Sequence, residues 1–396
     1  MTAAAETRVT HACPVCGHGA ATALAELRNV PVHPNVLWDS RDAALAAPRG
    51  DLVLAYCPDC SLIWNVAFDP EVLAYDTGYE NSLHFSPTFR RYAEELAGRL
   101  IERHGIRGKT VVEIGSGKGE FLSLLCAKGG NRGVGFDPSY DGESDDVHRD
   151  VQFVRELYSE ASAPPRADLL VCRHVLEHVE NPTAFLTSVR GAAKNADTVV
   201  YFEVPAAEYM LRERAVWDLI YPHVSVFSES ALRRLFQRTG FRVLHSGFSF
   251  GGQYVWVEAA PTTAAPLAAG GAAPPELRRL AASFSATLAE ERRTWSLRLG
   301  RGAGAPAACV WGAGAKGAMF LNQIEGGDRV GHVIDVNPRK HARFVPGTGQ
   351  RIAAPEQLVA SPPERVLVMN PIYREEIEET LRSLGLEAIV EPVGGS

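Results

Sequence analysis

The chain has 396 residues, of which 46% are hydrophobic and 22% are charged, and its formal net charge at pH 7 is −7. This length exceeds what one hydrophobic core normally serves, so we expect two or three domains. A negative chain without a dense Lys/Arg run is a poor match for nucleic acid, because phosphate backbones are bound by cationic surfaces. The first residues, MTAAAETRVT, lack the charged and apolar regions of a secretory signal, and no apolar run reaches the length of a membrane span. We therefore expect a cytoplasmic protein with no membrane partner.

Changes in composition along the chain predict three domains. Residues 1–75 contain two C-x-x-C pairs, several prolines and little helical periodicity, which is typical of a small metal-binding module. Residues 76–258 alternate apolar strands with amphipathic helices, the pattern of a parallel sheet covered by helices on both faces. Residues 259–396 begin with an Ala/Pro/Gly-rich linker and continue with a long helix and a second, smaller α/β unit. The predicted fold class is therefore α/β, with a Rossmann-like core and two additional domains.

Four cysteines in the first domain form two C-P-x-C motifs: Cys13, Cys16, Cys57 and Cys60. Four thiolates complete the tetrahedral shell of a structural zinc ion and leave no open position for catalysis. A redox-active C-x-x-C motif would be expected where a strand meets a helix in a βαβ unit, and that context is absent here. The motifs predict structural zinc, with four unliganded cysteines as the alternative.

A glycine turn, VVEIGSGKGEFL, follows a predicted strand at residues 111–122. A phosphate-binding loop of the Walker type needs Gly-Lys-Ser/Thr, but Lys118 is followed by Gly119. Asp137 ends the next strand, where a carboxylate can accept hydrogen bonds from ribose hydroxyls. Glu113, inside the first strand, would repel a pyrophosphate but suits a cationic ligand. These residues favour a positively charged nucleoside ligand, with a ligand-free α/β turn as the alternative.

The E-x-G-x-G-x-G pattern, the strand-end Asp and the segment ADLLVCRHVLEHVENP resemble the class I methyltransferases, whose methyl donor is S-adenosylmethionine (SAM). The resemblance implies that Glu113, with the glycines Gly115 and Gly117, contacts the methionyl part of SAM, and that Asp137 holds its ribose. It further implies the remaining cofactor contacts, with Asp150 approaching the adenine and Arg173 and His174 flanking the cleft.

A second informative segment, WDLIYPHVSVFSESALRRLF, spans residues 217–236. It places Tyr221 and His223 on a loop just before an amphipathic helix that begins at Ser228 or Glu229. Because the loop follows a strand of the predicted parallel sheet, we expect it at the carboxyl edge, where open α/β folds bind substrates. His223 is then a candidate general base at neutral pH.

Nearly the whole chain resembles the zinc-containing, SAM-dependent sugar C-methyltransferases that act on nucleotide-linked deoxyketosugars. Besides the four cysteines and the first glycine turn, the resemblance rests on YDTGYENSLHFSPTF, LEHVENP, IYPHVSVFS, GGQYVWV, WGAGAKGAMFLN and VLVMNP. It implies a zinc-binding domain, a class I methyltransferase domain and a C-terminal Rossmann-like domain. It also implies deprotonation of the carbon next to the ketone, followed by methyl transfer to that carbon, as in deoxysugar and antibiotic biosynthesis.

The same resemblance assigns catalytic positions to His223, Tyr221, Tyr79 and His178. Two departures stand out in the catalytic loop: Pro222 occupies a position that is usually Glu, and Val226 one that is usually Tyr. Loss of that Glu removes a group that could orient the histidine. An O-methyltransferase, or another C-methyltransferase acting on a different small metabolite, is therefore the alternative.

The second glycine turn, CVWGAGAKGAMFL, is a G-x-G-x-x-G sequence followed by Asp335 at the next strand end. By itself this pattern suggests NAD, and a donor-binding or NAD-sensing module without methyl transfer is a third hypothesis. The unit is too small for both halves of a dinucleotide site and a separate catalytic domain, and Lys316 adds a cation where a phosphate would bind. The resemblance implies that this domain binds the substrate's nucleotide diphosphate, with Lys316, Asn322 and Gln253 as substrate-binding residues. The sequence leaves monomer and homodimer equally open.

Overall fold

The computed structural model describes residues 8–9, 11–73, 79–140, 142, 148–265, 272–299 and 308–394. Its strands, numbered along the chain, are Arg8–Val9 (β1), Ala21–Pro31 (β2), Arg49–Tyr56 (β3), Ile63–Asn65 (β4), Thr110–Ile114 (β5), Arg132–Phe136 (β6), Val151–Val154 (β7), Leu169–Arg173 (β8), Val199–Pro205 (β9), Ser225–Val226 (β10), Phe241–Ser249 (β11), Tyr254–Pro261 (β12), Ala308–Trp311 (β13), His332–Ile334 (β14), Ile352–Ala353 (β15), Arg365–Val368 (β16) and Ile389–Pro392 (β17). The α-helices are Arg41–Leu45 (α1), Pro87–His104 (α2), Glu120–Gly129 (α3), Pro182–Ala192 (α4), Ala207–Arg212 (α5), Glu229–Arg238 (α6), Pro275–Leu299 (α7), Ala315–Gln323 (α8) and Arg374–Ser383 (α9). None of the helices in the described ranges is both long and apolar enough to cross a bilayer.

The central sheet has seven strands in the order β11, β12, β9, β8, β5, β6 and β7. The strands from β9 to β7 are parallel, and β12 and β11 add an antiparallel pair at one edge. Parallel neighbours require crossover connections, which α3 and α4 supply here. The predicted α/β class is confirmed, and the carboxyl ends of β5, β6, β8 and β9 lie at one edge of this sheet.

Two smaller sheets flank the central one. The N-terminal sheet has the order β1, β2, β3, β4 and β10 and is antiparallel. The C-terminal sheet has the order β15, β14, β13, β16 and β17 and is parallel, as predicted for a second Rossmann-like unit. The middle strand of this unit, β13, leads directly into the second glycine turn.

The three predicted domains are more interwoven than a division at residues 75 and 258 suggests. Strand β10, from the catalytic loop, pairs with β4 and completes the N-terminal sheet. Strand β12 continues to Pro261, and the long helix α7 packs against β2. One hydrophobic core contains Leu27 of the N-terminal sheet, Phe284 of α7 and Phe320 of α8. This shared core fixes the C-terminal domain relative to the catalytic loop.

The helices next to the site begin at residues whose side chains cap them. Ser228 precedes α6 and its Oγ accepts a hydrogen bond from the Ala231 N–H at 3.1 Å. Ser86 precedes α2 in the same way and accepts from the Phe89 N–H at 3.2 Å. Such caps satisfy backbone donors that the first helical turn leaves unpaired. The start of α6 fixes where the catalytic loop ends.

Candidate active site

The first glycine turn connects β5 to α3 in left-handed backbone conformations. Gly115, Gly117 and Gly119 have φ angles of 70°, 52° and 84°. A Cβ atom at Gly115 would lie 2.1 Å from Val175 Cγ2, so this glycine is required by packing. A Cβ at Gly117 would meet no atom of the described residues within 4 Å. In the described part of the chain nothing covers the backbone at Gly117, as close approach by a ligand requires.

Asp137, at the carboxyl end of β6, closes this turn. Its Oδ2 accepts a hydrogen bond from the Gly117 N–H at 2.8 Å, and its Oδ1 accepts from the N–H and hydroxyl of Ser139 at 2.8 and 2.6 Å. A carboxylate has about four acceptor positions, so the side chain, which is half-buried, can accept further donors. The arrangement places an anionic acceptor beside Gly117.

Glu113 lies beneath the turn and is buried. Burial raises the pKa of its carboxyl group to about 8, an effect that the nearby Arg173 charge opposes. Its Oε2 is buried and has no hydrogen-bond partner among the described residues. A buried carboxylate of this kind is stabilised in its charged form by a bound cation.

Arg173, at the end of β8, is paired with the fully buried Glu203. Its Nε donates to Glu203 Oε1 at 2.9 Å, and its guanidinium lies 4.4 Å from the ring centre of Phe121. Burial opposes ionisation of Glu203, but the Arg173 charge outweighs it and lowers the pKa of Glu203 to about 2. The Nη2 atom of Arg173 is buried and has no hydrogen-bond partner among the described residues. Arg173 thus supports the cleft and retains one unused donor.

Four side chains form a cluster beyond the carboxyl ends of β8 and β9: His174, Glu177, His178 and His223. His174, with a φ of 56°, lies 3.6 Å from Glu177 Oε1 through Nδ1 and 3.6 Å from Glu203 Oε1 through Nε2. The rings of His178 and His223 are 5.0 Å apart and nearly perpendicular. One nitrogen of each of these two rings and one oxygen of Glu177 all lie within 4.8 Å of one another. The cluster therefore brings three histidines and one glutamate together at this edge of the sheet.

The catalytic loop places His223 in an electropositive, partly buried position. Burial is the main cause that lowers the pKa of His223 to about 3, and the charges of His178, His174 and Lys316 act in the same direction. His178 Nδ1 lies 2.9 Å from the carbonyl oxygen of Pro222, and because a carbonyl can only accept, this nitrogen carries the proton. His223 is therefore neutral at physiological pH and beside a histidine of fixed orientation.

The two tyrosines predicted to act with His223 are both held by hydrogen bonds to other parts of the fold. Tyr221 is 1% exposed, and its hydroxyl donates to the Asp69 carbonyl at 3.2 Å and accepts from the Asp69 N–H at 3.0 Å. These backbone bonds make it a structural link between the loop and the N-terminal module. Tyr79 accepts a hydrogen bond from Asn35 Nδ2 at 3.2 Å. Asn35 in turn lies near Gly314, so Tyr79 is placed towards the second glycine turn.

Asp150 does not fit the predicted adenine contact. It directly precedes β7, and its carbonyl oxygen accepts from the N–H of Gly133, near the start of β6. Asp137 lies at the other end of β6, so Asp150 is at the amino edge of the sheet, away from the glycine turn. A strand-end aspartate and a strand-start aspartate look alike until the strand's bounds are known.

Asp335, the aspartate of the second glycine turn, is engaged by hydrogen bonds and an ion pair within its own domain. Asp335 Oδ2 accepts from the Ala313 N–H at 2.9 Å and pairs with Lys340 Nζ at 3.1 Å. Both side chains of this ion pair are nearly buried. Asp335 Oδ1 accepts from the Asn337 N–H at 2.9 Å. The carboxylate is thus part of the internal structure of this domain.

Lys316 joins the C-terminal domain to the catalytic loop region. Its Nζ pairs with Asp218 at 2.9 Å and lies 3.4 Å from Gln253 Oε1. Gln253 exchanges two hydrogen bonds of 2.8 Å with the amide of Asn370. Polar groups of both domains therefore meet at Lys316. The positive charge of Lys316 is also one of the causes that lower the pKa of His223.

Asn322 is the predicted substrate residue whose contacts are structural. Its Nδ2 donates to the carbonyls of Ala318 and Pro346, each at 2.8 Å, and its Oδ1 accepts from Arg49 at 3.0 Å. These bonds connect α8 to the N-terminal sheet. The amide is saturated by the fold itself.

The four N-terminal cysteines converge, as their spacing predicts. The Sγ atoms of Cys13 and Cys60 are 3.6 Å apart, those of Cys16 and Cys57 are 3.5 Å apart, and all four lie within 4.8 Å of one another. Tetrahedral zinc with Zn–S bonds of about 2.3 Å separates its sulfurs by about 3.8 Å. The cluster, in which all four residues are buried, has the donor set and spacing of a structural zinc site.

Sequence reasoning missed three residues of the site: Glu177, Asp218 and Asn370. Glu177 is adjacent to His178 in the LEH motif, but its burial and its approach to His223 depend on the fold. Asp218 belongs to the site because it pairs with Lys316, 98 residues away. Asn370 belongs to it because it bonds to Gln253, 117 residues away. No local pattern in the sequence signals such pairs.

Comparisons with known proteins agree with this architecture. Residues 89–246 match the family model of a methyltransferase domain, and residues 292–388 match that of the C-methyltransferase C-terminal domain. Both matches begin after the cysteine module. The chain is 29% identical over 398 aligned positions to the C-methyltransferase NovU of Streptomyces niveus, covering 92% of this chain and 90% of that protein. It is 28% identical to the ubiquinone biosynthesis O-methyltransferase of Methylococcus capsulatus, over 30% of this chain and 57% of that protein.

Among solved structures, magnesium protoporphyrin IX methyltransferase (ChlM) from Synechocystis, with bound S-adenosylhomocysteine (SAH), has a TM-score of 0.36 at 16% identity, covering 44% of this chain and 84% of that one. A SAM-dependent methyltransferase from Aquifex aeolicus also has a TM-score of 0.36, at 15% identity, covering 48% of this chain and the whole of that one. The central sheet and the two matched domains together give the chain a class I, Rossmann-like methyltransferase fold. The protein is a SAM-dependent methyltransferase with a C-methyltransferase C-terminal domain.

Proposed function

We propose that the protein transfers the methyl group of SAM to the carbon next to the ketone of a nucleotide-linked deoxysugar. The observation that carries this proposal is a neutral, partly buried His223 that lies with Glu177 and His178 beyond the carboxyl ends of β8 and β9, where Lys316 of the C-terminal domain also acts on it. Similarity to a C-methyltransferase along 92% of the chain supports the reaction type. The product would serve deoxysugar biosynthesis, including that of antibiotics.

The donor site of the proposal lies at the first glycine turn. Gly117 presents backbone to the methionyl part, and Glu113 lies close beneath it as a buried anion for a ligand that carries ammonium and sulfonium charges. Asp137 accepts from the ribose hydroxyls. Arg173 is available for the carboxylate of the donor through Nη2, which has no hydrogen-bond partner among the described residues.

The base of the proposal is His223. A neutral imidazole nitrogen takes the proton from the carbon next to the ketone, and the electrons of that C–H bond form an enolate. The enolate carbon then attacks the methyl group in line, the C–S bond breaks, and its electron pair stays on the sulfur of SAH. Tyr79 is the proposed donor to the enolate oxygen. Tyr221 has no chemical role here, because Asp69 engages its hydroxyl in both directions.

The acceptor's diphosphate is proposed to bind at Lys316 and Gln253. Lys316 lies in the first turn of α8, where backbone N–H groups and the helix dipole favour anions. Its ammonium is paired with Asp218, so a diphosphate would share or replace that contact. This placement would leave the sugar ring of the acceptor facing His223.

O-methylation is the second candidate, and Pro222 is the observation that favours it. Without a glutamate at this position the loop lacks a carboxylate next to His223. A hydroxyl proton is easier to remove than a proton on carbon, so a weaker base would suffice. His223 would then deprotonate oxygen, and the same donor site would serve.

An acceptor comparison tests the proposal. The full chain is incubated with SAM and either a thymidine diphosphate 4-keto-deoxysugar or the same nucleotide carrying a 4-hydroxyl group. We expect SAH release, and a product heavier by one CH₂, only with the ketone. Equal turnover of the hydroxyl compound would replace C-methylation by O-methylation, and no turnover of the ketone would refute the proposed acceptor.

The cysteine cluster is proposed to hold one structural zinc ion per chain. Zinc at this place would fix the N-terminal sheet, which β10 of the catalytic loop completes. Metal analysis of the purified chain should give about one zinc, and Cys57→Ser should lower both the zinc content and the unfolding temperature. Cys126→Ser is the matched control, because Cys126 is a buried thiol outside the cluster. A folded, metal-free wild-type chain would contradict the assignment.

A further inference from the structure

We propose that Glu177 is the positioning residue for the base, supplying the negative charge that the loop lacks at Pro222. The inference rests on the proposed function, because it concerns removal of the proton by His223. In this proposal Glu177 acts on His223 and His178, and it contacts neither the methyl donor nor the acceptor.

Glu177 occupies a buried position close to two histidines of the site. The residue lies in the short 3-10 turn Leu176–His178, directly after β8, and is 1% exposed. Its carboxylate approaches both His178 and His223 to within 4.8 Å. Oε1 faces His174 Nδ1 at 3.6 Å, whereas Oε2 is buried without a hydrogen-bond partner among the described residues. Burying an ionised glutamate with so few hydrogen bonds costs free energy unless nearby positive charge stabilises the carboxylate.

Four ionisable groups lie close enough to His223 to shift its pKa. The ionisable groups that act on His223 are His178 and Glu177 from the turn after β8, His174 from the preceding residue, and Lys316 from α8. Of these four groups, Glu177 is the only anion. Burial opposes ionisation of Glu177, but its contact with His174 and the nearby His178 outweigh burial and lower the pKa of Glu177 below its usual value. The carboxylate is therefore ionised when the reaction occurs.

Proton abstraction by His223 creates a positive charge that needs stabilisation. When His223 takes the proton from the acceptor carbon, an imidazolium forms in a partly buried pocket that already faces Lys316 and the sulfonium of the donor. An anion within 4.8 Å stabilises this imidazolium and the transition state that leads to it. Proton number balances, because the proton lost by carbon resides on His223 while the electron pair passes through the enolate to the methyl group.

His178 completes the arrangement by linking the turn to the loop. Its Nδ1–H donates to the Pro222 carbonyl, which fixes the ring and directs Nε2 away from that bond. The 3-10 turn that carries Glu177 is thereby tied to the residue immediately before His223.

The test uses Glu177→Gln, with Glu208→Gln as its matched control. Glu208 is also a buried glutamate of this domain, and its Oε2 likewise has no hydrogen-bond partner in the part of the chain that the structure describes. Its other oxygen accepts from the Glu229 N–H, and the groups that shift its pKa include no histidine. Both substitutions remove one buried charge and keep the shape of the side chain. Any general cost of losing a buried carboxylate is therefore shared.

The readout is deuterium uptake from D₂O into the carbon next to the ketone, with SAH bound so that methyl transfer cannot occur. We expect Glu177→Gln to slow this uptake by about tenfold or more, since general-base catalysis as a whole contributes on the order of 10²- to 10⁴-fold. The dissociation constants of SAH and of the acceptor should stay within twofold of wild type. Glu208→Gln should exchange at the wild-type rate, and Glu177→Asp, which keeps the charge, should recover part of it.

The outcomes separate this inference from the proposed function. A wild-type chain that exchanges deuterium while Glu177→Gln exchanges equally fast would overturn the role of Glu177 alone. Equal slowing by Glu177→Gln and Glu208→Gln would also overturn it, because the effect would then be structural. Exchange that requires added Mg²⁺ or Mn²⁺ would replace it with a metal-binding role for the cluster. Failure of the wild-type chain to exchange or methylate any ketosugar nucleotide would instead refute the proposed function.

Discussion

The two glycine turns of the protein follow one plan in the sequence: a strand, a glycine-rich turn, a helix and a second strand that ends in aspartate. The structure uses them differently. At the first turn Asp137 is half-exposed, and Glu113 has one carboxylate oxygen without a hydrogen-bond partner among the described residues. At the second turn Asp335 instead pairs with Lys340 and accepts hydrogen bonds from backbone N–H groups. The difference shows that a Rossmann-like motif identifies a fold, and that the charges left without partners identify the ligand.

The largest effect is expected at His223, the base of the proposed reaction. His223→Asn should lower the methyl-transfer rate about 10²- to 10⁴-fold, because it removes the base but keeps a polar side chain of similar size. SAH binding, measured by calorimetry, should be unchanged. His245→Asn, an exposed histidine on β11, is the control and should behave as wild type. A fully active His223→Asn variant would remove this histidine from the chemistry.

Replacing the strand-end aspartate of each turn by asparagine should affect protein stability at one turn and SAH binding at the other. Asp335→Asn leaves Lys340 nearly buried without its partner, a loss that typically costs about 3–5 kcal/mol, so the unfolding temperature should fall while SAH affinity is retained. Asp137→Asn should weaken SAH binding about tenfold or more, since a hydrogen bond to a charged group contributes about 1.5–3 kcal/mol, and should affect stability less. The opposite pattern would reverse the roles assigned to the two turns.

Alanine substitutions at one glycine of each turn sharpen the same comparison. Gly117 has a φ of 52°, where an L-residue costs roughly 1–2 kcal/mol, and Gly117→Ala also places a methyl group where the donor should lie. Gly314 has a φ of −86° and its nearest neighbour to an added Cβ is 3.8 Å away. We expect Gly117→Ala to raise the SAH dissociation constant about tenfold and Gly314→Ala to leave it unchanged. Comparable losses in both variants would argue against a donor site confined to the first turn.

The smallest predicted effect is a pH dependence of SAM affinity. Glu113 has a pKa of about 8 in the ligand-free protein, so below pH 8 its carboxyl is largely protonated and must release a proton to face a cationic ligand. If bound SAM lowers this pKa by about one unit, its affinity should rise about fivefold from pH 6 to pH 8 and binding should release protons, which calorimetry in buffers of different ionisation enthalpy detects. Glu113→Gln should remove the pH dependence. A wild-type affinity that is constant over this range would separate Glu113 from the donor.

The sequence predicted the elements that depend on local pattern. The strand, glycine turn and helix at residues 110–129 and the capping of α6 by Ser228 follow from residues close together in the chain. The convergence of the cysteines also follows, because paired C-P-x-C motifs allow few other uses. Strand β7, by contrast, is only four residues long and its half-buried pattern is weak, so it was not predicted, and Asp150 was placed at the wrong edge of the sheet.

The chemistry of the site depended on contacts that no local pattern determines. The bonds of Tyr221 to Asp69 and of Asn322 to Arg49 span 152 and 273 residues. These contacts turn two predicted site residues into structural links. The same long-range packing brings Glu177 to His223, a relation that the LEH motif alone does not reveal.

The position of the transferred methyl group tests the account most directly. The full chain is supplied with SAM labelled with ¹³C in its methyl group and with the nucleotide-linked 4-keto-deoxysugar, and the product is identified by NMR. The account predicts a labelled methyl bonded to the carbon next to the ketone, with loss of one hydrogen from that carbon. A labelled methyl on oxygen, or no labelled product, would contradict it.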